Sequence, residues 1–236
     1  MSSRVVMLLV LAACTAVPPQ VQAQDDEGFR FVRIRFDSQW GGRGRNAPWA
    51  HDYPTAELNF YEALHRVTKI SVEGPPLVRT LVDDKIFDYP LLYLCEPGYW
   101  EPTDEEVVRL RAYLERGGFI MFDDFRGQDE WFVLEQVMAR VLPDTPFIEL
   151  PSEHPLWSIF YDVDPVEAPS LVSGGGYRQL RDRYMALFDE AGRMVALAAH
   201  NQDLGDGWEW PNRNFENAST ITFQMGVNFL MYVFTH

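Results

Sequence analysis

The stretch that decides the fold covers residues 103–127 and reads TDEEVVRLRAYLERGGFIMFDDFRG. Thr103, followed three residues later by Glu106, forms a capping box, and the acidic residues after Thr103 suit the positive end of a helix dipole. The Gly-Gly pair that follows predicts the end of this helix, because glycine readily adopts the left-handed conformation of a C-terminal cap. The apolar run Phe119–Phe122 then predicts a buried strand, and two aspartates follow that strand directly.

Neighbouring segments repeat this alternation of helix and strand. Residues 89–95, YPLLYLC, are a continuous apolar run, which is typical of a strand buried on both faces. We expect Leu91–Leu94 and Phe119–Phe122 to be adjacent parallel strands, joined by a Thr103–Arg116 helix in a right-handed crossover. Further strands are predicted at 29–36, 70–72, 77–82 and 147–150, with a hairpin at 184–199, and further helices at 55–68, 129–142 and 219–236.

These elements predict a doubly wound α/β fold with a mostly parallel sheet and a β-hairpin near one edge. In the first strand, Arg33 and Arg35 alternate with apolar residues, which predicts one polar face. Thr55 is the expected N-cap of the helix over 55–68. The largely apolar helix over 219–236 is expected to pack on the sheet, with a membrane anchor as the alternative.

The first 23 residues predict a secretory signal peptide. They carry one positive charge, Arg4, then an apolar run over 5–17 that is too short for an ordinary membrane span. We expect cleavage before Gln24, which would leave 24–236 as a single α/β domain in the periplasm or otherwise exported. The alternative is the lipobox-like LAAC at 11–14, which would anchor the protein by a lipid on Cys14.

The charge of the chain excludes one class of partner. It has 35 acidic and 20 basic side chains, a formal net charge of −15, and so no basic surface for a phosphate backbone. We therefore expect no nucleic-acid binding, and no integral membrane span. Cys95 is the single cysteine left after the leader, and it is expected to be a buried core residue.

Five stretches resemble a known bacterial family. They are DYPTAELNFYEAL, YPLLYLCEPGYW, LRAYLERGGFIMFDDFRG, EHPLW and HNQDLGDGWEW, and they resemble the family called domain of unknown function 4159 over about Phe29 to His236. That family is grouped with class I glutamine amidotransferase-like proteins, so the resemblance implies a flavodoxin-like fold. It implies no activity. The chain lacks the Gly-x-Cys-x-Gly elbow and the His-x-Glu pair that amidotransferases need, so that chemistry is expected to be absent.

A site is expected where the parallel strands end, since ligands of open α/β sheets bind there. The candidate catalytic residues are Asp123, His154 and Glu96. The candidate ligand-binding residues are Asp37, Trp40, Tyr99, Trp100, Asp124, Arg126, Asn201, Asp203, Trp208 and Glu209. Candidate metal ligands are Asp123, His154 and Asp203.

The two adjacent aspartates are expected to differ in role. Asp123 closes its strand, so we expect it to face the ligand crevice together with His154 and the 201–209 loop. Asp124 begins the turn into the next helix, where its carboxylate is expected to cap backbone N–H groups. The alternative is a purely structural pair in which Asp123 binds Arg126.

Two functions remain open from the residues. The first is an exported ligand-binding or interaction module on a catalytically degenerate fold. Its ligand would be a carbohydrate or cell-wall fragment, because tryptophans beside acidic residues suit sugars, or a protein of the cell envelope. The second is a carboxylate- or metal-dependent hydrolase that uses Asp123, His154 and Asp203. No organic cofactor is predicted; oxygen ligands would favour Ca²⁺ or Mg²⁺, whereas His154 would favour Zn²⁺ or Mn²⁺.

Export can be tested by N-terminal mass analysis of the protein purified from the cell envelope of its host. We expect a chain that begins at Gln24, or at a lipidated Cys14 if the alternative cleavage operates. A mature protein that retains Met1 would contradict export.

Overall fold

The computed structural model describes residues 28–38, 47–166, 168, 171, 180–212 and 217–236. The predicted leader, with Cys14, and the candidate ligand residue Trp40 lie outside the described residues. Seven strands form one sheet in the order β2-β1-β3-β4-β7-β6-β5. The strands are β1 (Val32–Ile34), β2 (Leu77–Arg79), β3 (Leu91–Cys95), β4 (Phe119–Phe125), β5 (Ile148–Glu149), β6 (Arg183–Phe188) and β7 (Met194–His200).

The parallel pairing expected at the centre of the sheet is confirmed. β3 and β4 are parallel neighbours, with a register that runs from Leu91 opposite Phe119 to Cys95 opposite Asp123. β1, β2 and β7 continue the parallel part, whereas β6 pairs with β7, and β5 with β6, in antiparallel orientation. The predicted hairpin is therefore β6–β7, near one edge.

Helices cover both faces of the sheet. The helices are α1 (Thr55–Val67), α2 (Asp104–Glu115), α3 (Gly127–Val141), α4 (Leu204–Glu209) and α5 (Ala218–Thr235). The apolar residues of α1, α4 and α5 join one core cluster, and those of α2 and α3 join a second cluster on the other face. This arrangement confirms the predicted doubly wound α/β fold, of flavodoxin-like type with an antiparallel edge.

The capping box predicted for α2 is present. Thr103 Oγ1 accepts a hydrogen bond from the Glu106 backbone N–H at 3.2 Å, and Glu106 Oε2 accepts one from the Thr103 N–H at 2.9 Å. After the helix, Gly117 has a φ of 101°, a conformation that strongly favours glycine. The capping box therefore marks the start of α2 and the left-handed glycine marks its end, and β4 follows directly.

Three predictions near the first strand are wrong. Arg33 does not contribute to a polar face: it is 1% exposed, because Glu57 of α1 meets its guanidinium inside the protein. Thr55 is not an N-cap but the first residue of α1, and Pro54 precedes it without a side-chain cap. The strand itself is also shorter than predicted, since only Val32–Ile34 pairs regularly.

The last helix packs on the sheet, as predicted. Met225, Phe229 and Leu230 of α5 are buried in the core cluster that also holds α1. In the parts of the chain that the structure describes, no helix is both long and apolar enough to span a bilayer.

The packing of α2 gives a stability prediction. Leu110 and Leu114 are buried, so replacing either by alanine should lower the free energy of unfolding by about 2–5 kcal/mol. Val108 on the same helix is 58% exposed, and Val108→Ala should change it by less than about 0.5 kcal/mol. Urea denaturation of the three variants tests this. A loss below about 1 kcal/mol for both leucines would contradict the packing, because buried leucines cost more.

Candidate functional site

Polar side chains from four segments meet where the parallel strands end. After β1 the chain crosses to the sheet face covered by α1, and after β3 it crosses to the opposite face, covered by α2. The carboxyl ends of the neighbouring strands β1 and β3 therefore form a topological switch point. Crevices at such points are the usual ligand sites of open α/β sheets. The residues that meet there are His51 and Asp52 after β1, Glu96 after β3, Asp124 and Arg126 at the end of β4, and Asp203 after β7.

The backbone at this edge is unusual. The described residues include five non-glycine residues with a positive φ, and four of them, Asp52, Glu96, Asp124 and Asn201, lie in these segments. Left-handed conformations of non-glycine residues are strained, and they cluster at functional sites. In β4 the pairing with β7 is irregular between Phe122 and Phe125, which places Asp124 in a bulge.

Asp123 is an internal anchor. It is fully buried, and its carboxylate accepts hydrogen bonds from the Tyr93 hydroxyl (2.7 Å) and from the backbone N–H groups of Leu204 (3.1 Å) and Gly205 (2.9 Å). Burial raises the pKa of Asp123 to about 6, against the opposing effect of these donors. The prediction that Asp123 faces the crevice is wrong, because β4 continues to Phe125 and this carboxylate turns inward to hold α4.

Asp124, rather than Asp123, belongs to the polar crevice. Its Oδ1 contacts Arg126 Nη2, and its Oδ2 lies 3.6 Å from His51 Nδ1. It does not cap α3: there, Glu130 accepts from the Arg126 N–H and Asn201 accepts from the Gly127 N–H. The alternative pairing of Asp123 with Arg126 is also wrong.

His51 lies between two carboxylates. Its Nδ1 is 2.7 Å from Glu96 Oε1, and 46% of the side chain is exposed. The carboxylates of Asp124 and Glu96 raise the pKa of His51 to about 10. Burial alone would raise the pKa of Asp124, but the hydrogen bond from His51 and the charge of Arg126 outweigh burial and hold that pKa below its usual value.

Asp203 completes this side of the crevice. Its Oδ2 lies 3.7 Å from Arg126 Nη2, and its Oδ1 accepts from the Asp206 N–H at 2.9 Å. Burial, together with the charge of Asp124, raises the pKa of Asp203 well above its usual value. The pKa values of these two neighbouring carboxyl groups are therefore shifted in opposite directions, upward for Asp203 and downward for Asp124.

Among the residues that the structure describes, two groups of side chains have the spacing of metal ligands. The donor atoms of His51, Glu96 and Asp124 all lie within 4.8 Å of one another, and the same holds for Asp52, Asp206 and Glu209. In the second group, Asp52 Oδ2 is buried without a hydrogen-bond partner among the described residues. Burial raises the pKa of Asp52 to about 8.

A protein-family model matches most of this chain. The family model described as domain of unknown function (DUF4159) matches residues 30–234. The chain belongs to the DUF4159 family. No curated protein matches it.

His154 of this DUF4159 chain lies far from the crevice. Its ring packs beside Phe188 and Tyr232, and Phe188 pairs with Met194 at the start of β7 rather than at its end. The expectation that His154 shares a crevice with Asp123 is therefore wrong, because His154 packs beside Phe188, at the end of the sheet opposite the crevice. Asp123, His154 and Asp203 do not meet.

The aromatic candidates are mostly internal. Trp100 packs against Phe122 and Trp208 against Phe60, and each tryptophan is 1% exposed, so neither ring can stack on a ligand. Tyr99 is half-buried after Glu96. Of the other ligand candidates, Asn201 links the start of α3 to the Arg181 carbonyl, Glu209 belongs to the second acidic group, and Asp37 is exposed beyond β1.

His51 and Asp52 were not among the site residues predicted from the sequence. Both lie in the irregular loop between β1 and α1, where no periodicity marks an inward-facing side chain. One signal was present: this loop follows a strand at the switch point, and it carries a His-Asp pair. Arg33 and Glu57, which support the loop, were hidden because an arginine in a strand is usually exposed.

The raised pKa of His51 predicts a pH dependence of stability. The imidazolium of the folded protein contributes stability that is fully present below pH 6.5, the usual histidine pKa, and is lost as the pH rises through about 10. In the presence of EDTA, wild type should therefore lose its advantage over His51→Gln between pH 6.5 and 10, as measured by urea denaturation.

The matched background for this test is Glu96→Gln, which removes one of the two carboxylates beside the imidazole. The pH-dependent difference caused by His51→Gln should be smaller in that background. A difference that stays constant, or grows, as the pH rises would contradict the assignment.

Proposed function

We propose that this protein is an exported binding module that depends on a divalent cation, held by His51 Nδ1, Glu96 and Asp124. The observation that carries the proposal is the convergence of these three donors, from three separate segments, within 4.8 Å of one another. Strained backbone at Asp52, Glu96 and Asp124 accompanies this convergence, and such strain is common at functional sites.

The donor set favours a first-row transition metal. One imidazole nitrogen with two carboxylates suits Zn²⁺ or Mn²⁺ better than Ca²⁺ or Mg²⁺, which prefer oxygen alone. The two carboxylate oxygens of Asp124 have different partners: Oδ1 contacts Arg126, and Oδ2 faces His51. Arg126 thus orients Asp124, one of the proposed metal ligands, as hydrogen-bonded partners of metal ligands usually do.

The surroundings favour ligand binding over amidotransferase chemistry. Cys95 is buried, its thiol lies 3.9 Å from Asp124 Oδ2, and burial raises its pKa well above the usual value. A thiol in that state is a poor nucleophile. We propose carboxylate-bearing cell-wall fragments as the ligand, because a carboxylate can occupy the open positions of the ion, while the two buried tryptophans offer no sugar platform.

A second function, metal-dependent hydrolysis, is favoured by one observation. The three protein donors leave coordination positions open, and the half-exposed His51 puts them within reach of water. A bound ion there would lower the pKa of a water ligand and supply the nucleophile. Release of product from peptidoglycan fragments or ester substrates, dependent on the added metal, would distinguish a hydrolase from a module.

Calorimetric titration of EDTA-treated protein with ZnCl₂, MnCl₂, MgCl₂ and CaCl₂ tests the proposal. We expect one high-affinity site for Zn²⁺ or Mn²⁺, weaker binding of the other two ions, and proton release on binding because His51 must lose its proton. His51→Ala and Glu96→Gln should each weaken binding at least about tenfold, a loss typical of altered metal sites.

The matched controls are His65→Ala and Glu62→Gln, which change an exposed histidine and an exposed glutamate on α1. Both should bind as wild type does. Absence of binding to wild type at millimolar metal, or binding that His51→Ala leaves unchanged, would refute the proposal.

A further inference from the structure

We propose that the buried Arg33–Glu57 pair is a positioning device for the cation site, and that it works by holding the loop that presents His51. This inference rests on the proposed function. Arg33 lies on β1 and Glu57 on α1, and Arg33 reaches the proposed ligand His51 at its backbone carbonyl rather than at its imidazole.

The guanidinium of Arg33 connects three parts of the chain. Its Nε donates to Glu57 Oε1 at 2.5 Å, and its Nη1 donates to the backbone carbonyls of Trp49 (3.1 Å) and His51 (2.7 Å). It also lies 4.7 Å from the ring centre of Tyr93, which is on β3. Arg33 therefore ties the His51 backbone to the two strands at the switch point.

The loop needs such a support. Over its described residues 35–38 and 47–54, the regular structure is the short 3₁₀ turn Pro48–Ala50, which has no side-chain cap. The hydrogen bond from the His51 N–H to the Pro48 carbonyl is long, at 3.5 Å. Asp52, the next residue, has a φ of 64°. The hydrogen bonds from the Ala50 N–H to the Ala47 carbonyl (2.8 Å) and from the Tyr53 N–H to the Ala50 carbonyl (3.3 Å) stay within the loop, so they do not tie it to the sheet as Arg33 does.

Stability alone does not explain the pair. Both side chains are almost completely buried, and Glu57 Oε2 has no hydrogen-bond partner among the described residues. Replacing a buried ion pair by apolar residues of similar volume is often neutral or stabilising. What apolar residues cannot replace is the donation to two loop carbonyls.

The presence of Glu57 also fits a cation site. A lone guanidinium buried near the proposed ligands would repel a divalent ion, and the repulsion would be strong at low dielectric. Glu57 accepts from Nε of Arg33, whereas the loop carbonyls accept from Nη1, so the donors to the loop remain while the local charge is balanced. The pair is thus suited to hold the loop without opposing the ion.

The experiment uses the double variant Arg33→Met/Glu57→Leu, which removes the loop contacts and leaves no unpaired buried charge. We expect it to fold, with Zn²⁺ binding weakened about 10–100-fold, the loss seen when groups that orient metal ligands are removed. Calorimetry in buffers of different ionisation enthalpy should also show fewer protons released, because His51 no longer ligates fully.

The control is Leu110→Ala, which destabilises the opposite face of the sheet and should leave the Zn²⁺ affinity unchanged. Arg33→Lys keeps the charge but cannot reach both carbonyls and Glu57 together, so its Zn²⁺ affinity should also fall. It serves as the test if the double variant does not fold. Wild-type affinity in a folded variant that lacks the Arg33 guanidinium would overturn the inference.

A second readout separates this inference from the cation proposal. In metal-free protein, the imidazole ¹⁵N resonances of His51 report its hydrogen bond to Glu96 directly. Loss of that signature in the double variant, or in Arg33→Lys, would support positioning even if wild type bound no metal. Unchanged His51 resonances in these variants would overturn positioning, whatever the wild type binds.

Discussion

The carboxylate of Asp123 sets a constraint on which much of the site depends. A charged or polar group inside a protein is costly unless it is hydrogen-bonded, and Asp123 is buried completely. Its partners are one side chain of β3, Tyr93, and the first backbone N–H groups of α4. Satisfying this one carboxylate therefore docks α4 on the centre of the sheet, and so fixes the wall of the crevice that carries Asp203.

Arg33 holds the other wall of the crevice, the loop that carries His51, just as Asp123 holds α4. Each is a charged group inside the protein, each belongs to a parallel strand, and each hydrogen-bonds backbone groups of a short segment that follows another part of the sheet, the loop before α1 or the helix α4. The crevice is thus built from short segments held by buried polar side chains of the sheet. Such rigid support is what a precise ligand set requires.

The local part of this fold could be predicted, and the orientation of its polar residues could not. The capping box at Thr103 and the apolar runs of β3 and β4 depend on neighbouring residues alone, so the sequence indicated them well. Which of Asp123 and Asp124 faces the crevice depends on the bulge in β4 and on its pairing with β7, which are tertiary features. The position of His51 could not be predicted for the same reason. It involves a hydrogen bond from Arg33 to the His51 carbonyl, and no periodicity in the sequence indicates that contact.

The left-handed residues at the strand ends have a consequence for how this chain can change. Glycine would adopt these backbone angles without strain at Asp52, Glu96, Asp124 and Asn201. Each of these four side chains is therefore accompanied by strain in the backbone. Replacing them by glycine would relieve this strain but would also remove the side chains that form the crevice. Their presence marks the places where this protein keeps a chemical group at the expense of robustness.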